Sequence, residues 1–172
     1  MLIVVGGHSR KVGKTAVIAG LIRALADAGW TAVKISPHEH ALEERAGADT
    51  SRYLAAGARR SFLLRAPDLS GIRAALQGAE NAIVESNSAF DFLSPDLYLM
   101  VLDFSAPDFK ESARRRLDRA GAFVIVESRV AQPSWSGLPE GWIGSRPSFV
   151  VKPPEYTSPA LVEFVRQRLE RG

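Results

Sequence analysis

Leu2-Ile3-Val4-Val5-Gly6-Gly7-His8-Ser9-Arg10-Lys11-Val12-Gly13-Lys14-Thr15 is the stretch on which the fold of this chain turns. Four apolar residues in a row read as a strand buried on both faces. A loop carrying three glycines follows, and then a helical pattern with Val17, Ile18, Leu21, Ile22 and Leu25 on one side. Strand, glycine-containing turn, Gly-Lys-Thr and helix is the order that holds a nucleoside triphosphate. The physical reasons are specific. Gly6, Gly7 and Gly13 let the chain come close to an anion. Successive N–H groups then line a concave nest for phosphate oxygens, and the helix beginning near Lys14 adds its own unpaired N–H groups. Lys14 would set a point charge on the outer phosphates, and the Thr15 hydroxyl would ligate Mg2+.

The strict pattern G-x-x-x-x-G-K-[ST] is not met. His8 stands where its first glycine belongs, with Gly7 one place earlier. The expected nucleotide-binding set is therefore Gly7, His8, Ser9, Arg10, Lys11, Val12, Gly13, Lys14, Thr15 and Ala16.

A length of 172 residues suits one domain, spanning 1–172, with a real core. The absence of cysteine excludes disulfides, thiolate metal sites and a cysteine nucleophile. The opening apolar run is too short for a signal peptide and no basic residue precedes it. No stretch approaches the ~20 apolar residues that span a bilayer. The expectation is a cytoplasmic protein with no membrane partner. Net charge is +3. The densest basic cluster, Arg114-Arg115-Arg116 with Arg119, is interleaved with acids and has no aromatic for base stacking, so it reads as a solvated helix face and no nucleic-acid partner is expected.

Six further strands follow in order: Thr31–Ile35, Ser61–Leu64, Ala82–Val84, Leu97–Leu102, Ala122–Val126 and Ser148–Val151. Between them lie a short helix capped by Asp49-Thr50-Ser51, a helix opened by Pro67-Asp68, a helix over 109–119 and a final helix from Ser158 to Glu170. Residues 41–48 read as a mobile loop and 131–147 as an irregular surface segment rich in Pro, Gly, Ser and Trp. Apolar strands alternating with helices predict an α/β fold of three layers, a mostly parallel sheet with helices on both faces. Ligands of such sheets sit beyond the carboxyl ends of the strands. Gly7–Thr15, Pro37–His40, Glu85–Ser88, Asp103 and Glu127–Arg129 should thus share one edge.

Glu85 ends a buried strand. A carboxylate there can hold Mg2+ through water or orient an attacking water; otherwise it is a strand-end acid bonded to a neighbouring loop. Asp49 belongs either to the metal's outer shell or to a helix cap. Lys14, Glu85 and Asp49 are the candidate catalytic residues, and Thr15, Asp49 and Glu85 the candidate metal ligands. Asn87 and Ser88 are candidate polar contacts, and Arg52 reaches either the phosphates or solvent. Lys34 is a strand residue whose amine can reach the same rim. The three histidines, His8, His38 and His40, all fall near strand tips, either as solvated loop residues or as ligands of a transition metal.

These motifs, taken together, resemble the molybdopterin-guanine dinucleotide biosynthesis protein B family (MobB-like proteins), and more broadly the class that includes dethiobiotin synthetase. The Gly7–Thr15 loop, with Val before Gly-Lys-Thr and glycines spaced one wider, is similar to the dethiobiotin-synthetase type. Val33-Lys34 followed by His38 and His40, Gly47-Ala48-Asp49-Thr50-Ser51-Arg52, Ala56-Gly57-Ala58 and Val84-Glu85 resemble MobB-like segments. Ser86 and Ala48 depart from that pattern, where the family has glycine and lysine, and the second half of the chain matches none of it. The resemblance implies a P-loop protein that binds GTP or ATP with Mg2+, with Lys14 and Thr15 on the phosphates and metal, and Asp49 and Glu85 near the metal. It also implies slow hydrolysis, an accessory role in molybdenum cofactor biosynthesis beside a partner protein of that pathway, and a homodimer. Two alternatives use the same socket. One is an ATP-dependent ligase acting on a small carboxylate or carbamate, and the other a metal-delivery GTPase using the histidines.

Overall fold

The computed structural model describes residues 1–36, 46–65 and 68–171, with the side chains of 46 and 47 outside the description. Its strands are β1 (Leu2–Gly7), β2 (Trp30–Ser36), β3 (Arg60–Arg65), β4 (Asn81–Glu85), β5 (Leu97–Asp103), β6 (Ala122–Val126) and β7 (Ser148–Val151). They form one sheet in the order β3-β2-β4-β1-β5-β6-β7, with every pairing parallel. The helices are α1 (Lys14–Ala24), α2 (Ala46–Ala55), α3 (Leu69–Leu76), α4 (Glu111–Arg114) and α5 (Pro159–Leu169).

Because parallel strands need crossover helices, both faces of the sheet are covered, and successive strand residues feed two different cores. In β1, Ile3 and Val5 join Val17, Ile18 and Leu21 of α1, Tyr53 of α2 and Leu161 and Val165 of α5. Val4 points the other way and joins Ile72 and Ala75 of α3 and Ala113 of α4. β5 divides likewise, with Leu97, Leu99 and Val101 on the first face and Tyr98, Met100 and Leu102 on the second. Each of these side chains is essentially dry, and full burial of one such aliphatic group stabilises by roughly 1.5–3 kcal/mol. The predicted three-layer α/β arrangement is the observed one.

Local chemistry sets the ends of the helices. Asp68 caps α3 by accepting the Gly71 N–H at 2.9 Å, and Ser158 caps α5, which has Pro159 in its first turn. Three expectations need correction. α2 begins at Ala46, so Asp49 lies inside its first turn and caps nothing, and residues 46–48 belong to the helix. Glu43, Glu44, His38 and His40 lie outside the described residues. The helix expected over 109–119 is only Glu111–Arg114, with a separate 3-10 turn at Leu117–Arg119. Arg115, Arg116 and Arg119 would be like charges at helical neighbours, which disfavours a continuous helix. Arg116 instead reaches across to Asp91 at 2.9 Å, and Arg114 lies over the Phe109 ring. The 131–147 segment is irregular as expected, but it is not merely superficial. Trp135, Leu138 and Trp142 pack on the second core, and Trp135 Nε1 donates to the Ala106 carbonyl at 2.8 Å.

Candidate nucleotide-binding site

β1 sits between β4 and β5, so its carboxyl end opens in the middle of the sheet edge. Two backbone features shape the loop that follows. Gly13 has φ 94°, a left-handed conformation that turns the chain into α1 and that glycine adopts without strain. Lys11, at the loop's tip, holds φ 60° without being glycine. A Cβ on Gly7 would fall 2.6 Å from the Val12 side chain, so the loop closes on itself only because Gly7 has none. Asn87, just past β4, braces the loop by accepting the Gly7 N–H at 2.8 Å.

The resulting loop is rich in donors that have nothing to donate to. Among the described residues, the N–H groups of Lys11, Gly13, Lys14, Thr15 and Ala16 meet no acceptor. The last three are the orphan donors of a helix start. Lys14 Nζ bends back to the Ser9 carbonyl at 3.3 Å, and among the described residues no carboxylate pairs with it. Burial holds its ammonium below the usual lysine range; the Glu85 charge opposes this, while Lys34 and Lys110 add to it. A desolvated ammonium beside a row of unpaired N–H groups has the chemistry that suits an anion.

Beside this loop is a compact polar cluster. Parallel register sets Glu85 of β4 level with Val5 of β1 and with Lys34 of β2, so the three side chains share the face covered by α1 and α2. Glu85 Oε2 accepts the Thr15 hydroxyl at 2.7 Å and also the Tyr53 hydroxyl. Glu85 Oε1 lies 3.3 Å from Lys34 Nζ, which also pairs with the Asp49 carboxylate. Burial alone would lower the Lys34 ammonium, but the charges and hydrogen bonds of Glu85 and Asp49 outweigh it and raise it above the usual value. Burial, with the Glu85 charge beside it, pushes the Tyr53 phenol well up, so the hydroxyl serves as a donor.

Lys14, Thr15, Asp49 and Glu85 thus meet at one place, with Lys34 among them. Tyr53 was missed, although its spacing of four from Asp49 put both on one face of a helix. His8 is elsewhere: fully buried, it turns to the opposite face of the sheet, between Phe109 and Trp135. Arg10, Lys11 and Arg52 are exposed. Ser86 is buried, and its Oγ accepts the Ser88 N–H at 3.1 Å. Asp103 spends its carboxylate on its own turn through the Ser105 N–H and hydroxyl, and Glu127 pairs with Lys152 on the surface at 3.0 Å.

The oxygen donors suit Mg2+, a hard cation that keeps waters and shares substrate phosphates instead of demanding a full protein cage. Because the Thr15 hydroxyl gives its proton to Glu85, its lone pairs remain for a cation. Among the described residues, no cluster of three or more His, Asp or Glu side chains forms a metal cage by itself. No helix among them is long and apolar enough to cross a membrane.

No family model and no curated protein sequence matches the chain. Solved structures do match in shape. HypB from Helicobacter pylori in complex with nickel shares 13% identity over 98% of this chain and 85% of that one, with a TM-score of 0.58. FlhF complexed with GMPPNP and Mg2+ shares 14% identity over 98% of this chain and 73% of that one, with a TM-score of 0.57. FlhF with GTP and Mg2+ gives 13% identity, the same coverage and a TM-score of 0.54. The likeness is one of fold: an all-parallel α/β sheet with helices on both faces.

Proposed function

We propose that this chain binds a nucleoside triphosphate, GTP or ATP, together with Mg2+, and hydrolyses it slowly. The observation that carries the reading is the set of unpaired N–H groups on Lys11 and from Gly13 to Ala16 around a desolvated Lys14. The N–H groups would grip the β- and γ-phosphates, and Lys14 would leave the Ser9 carbonyl to reach their outer oxygens. Thr15 would hold Mg2+ directly, with Glu85 and Asp49 acting on its waters. Bound there, Mg2+ supplies charge neutralisation on the phosphate oxygens.

Slow turnover follows from the carboxylates. Glu85 already accepts from Thr15, Tyr53 and Lys34, and Asp49 is paired with Lys34. Carboxylates so engaged have few lone pairs left to take a proton from a water. The complexes of FlhF with GTP and GMPPNP favour guanine as the base. Titration calorimetry with GTP and ATP, with and without Mg2+, tests the reading. Micromolar binding that needs Mg2+ supports it, with phosphate release on the order of one per minute or slower. No uptake of either nucleotide contradicts it.

The finer assignment is an accessory role in molybdenum cofactor biosynthesis, supported by the resemblance of the Lys34, Asp49–Arg52 and Glu85 segments to MobB-like proteins. Its test is whether the chain, with GTP, accelerates nucleotide attachment to molybdopterin by the transferase of that reaction. The metal-delivery reading gains from the nickel complex of HypB. It loses a candidate ligand in His8, whose two ring nitrogens are both engaged. Acting as a homodimer in the cytoplasm completes the proposal.

A further inference from the structure

The residue at the motif's first glycine place lies where no ligand can reach it. The His8 N–H continues the sheet ladder to the Val101 carbonyl at 3.2 Å, so it is not offered to phosphate. The ring passes to the other face, with its centroid 4.4 Å from that of Trp135 and 5.3 Å from that of Phe109. Its two nitrogens meet backbone groups of opposite kind. Nδ1 is 2.8 Å from the Asp108 carbonyl, which can only accept, so Nδ1 carries the proton. Nε2 is 3.2 Å from the Asp103 N–H, which can only donate, so Nε2 carries none. The Lys110 N–H adds a third tie, donating to the His8 carbonyl at 2.9 Å. The loop from Asp103 to Lys110 is therefore fastened at three points to the residue that opens the phosphate loop, and Trp135 fastens it again at Ala106.

We propose that His8 is a positioning residue for the triphosphate socket: its neutral Nδ1–H imidazole ties the phosphate loop to the loop after β5, so that restoring the motif's glycine loosens the socket. This rests on the triphosphate reading above. Protonation would set Nε2–H against the Asp103 N–H and undo the tie. The charged groups acting on the ring are Asp103 at the end of β5 and Lys14 at the start of α1; Asp108 and Lys110 meet His8 through their backbone groups, Arg114 lies over Phe109, and the 131–147 segment presents uncharged Trp135. Burial lowers the pKa of His8 below 6.5. The bonds to Asp108 and Asp103 and the Asp103 charge oppose that shift, and Lys14 assists it. The tie is therefore complete above pH 6.5 and is lost as pH falls through the lowered value.

The test compares His8→Gly, His8→Asn and the unaltered protein by Mg–GTP and Mg–ATP calorimetry across pH, with 15N NMR of the unaltered imidazole. His8→Gly is expected to bind about tenfold more weakly, the loss of one or two buried hydrogen bonds. His8→Asn, whose amide can both donate and accept, should recover most of that loss. Its affinity should not fall with acid, whereas that of the unaltered protein should. The spectrum should show a protonated Nδ1 and a bare Nε2, whether or not His8→Gly folds. His8→Gly binding as tightly as the unaltered protein, or an Nε2–H tautomer, would overturn the proposal. No triphosphate uptake by the unaltered protein would overturn the binding reading, and this one with it.

Discussion

The tip of β1 has two unlike neighbours. Toward β4 and β2 it meets charge: Lys34, Asp49, Glu85 and the hydroxyls of Thr15 and Tyr53. Toward β5 it meets rings: His8, Phe109 and Trp135, with Trp142 behind. Both sides hold the same loop, but by different physics. The charged side contains groups that a bound cation or phosphate can recruit. The aromatic side is held by packing and by hydrogen bonds to the backbone, and it has no exchangeable group to give. One side is suited to chemistry and the other to holding the loop still.

That contrast predicts an order of effects. Glu85→Ala should be the largest, destabilising by roughly 3 kcal/mol, because it leaves the Tyr53 hydroxyl without its acceptor and removes one carboxylate from Lys34. Urea denaturation checks this, and Glu85→Gln, which keeps an acceptor, should cost less. Trp135→Ala should follow at roughly 2 kcal/mol, below the usual cost for a core tryptophan because the ring is only half-buried. Equal or reversed values would dissolve the distinction between the two sides.

Lys34→Met sharpens the same comparison. It leaves Asp49 and Glu85 facing each other without their cation, so Mg2+ alone should now stabilise the protein, by about 1.4 kcal/mol at ten times its dissociation constant. The unaltered protein should gain much less in the same thermal melts. Ser158→Ala, at the cap of α5 and remote from both sides, should cost the least, about 0.5 kcal/mol, since its bond to the Leu161 N–H is long at 3.4 Å. It should leave triphosphate affinity untouched.

The seven strands among the described residues were legible in the sequence because each carries a short apolar run set off by turn or helix signals. The glycine-containing turn from β1 into α1 was legible because backbone conformation and helix polarity dictate its residue types. What escaped depends on register across space. Tyr53 reaches Glu85 only once α2 is laid over β2 and β4. The direction of His8 was within reach. Strand parity continues past Gly7, so His8 shares a face with Val4, away from α1. The short α4 and the inward-packed tryptophans were not, since neither like-charge crowding nor an irregular segment's packing announces itself by period.

In the proposed function, the donors between Lys11 and Ala16, with Lys14, form a ready socket for a polyphosphate. Titration calorimetry of Mg–GTP and Mg–ATP into the unaltered protein and into Lys14→Ala measures it most directly. Micromolar uptake by the first is expected, with a loss of about a hundredfold in the second, the worth of a charge-assisted contact in a dry site. Equal uptake by the two proteins, or none by either, would contradict it.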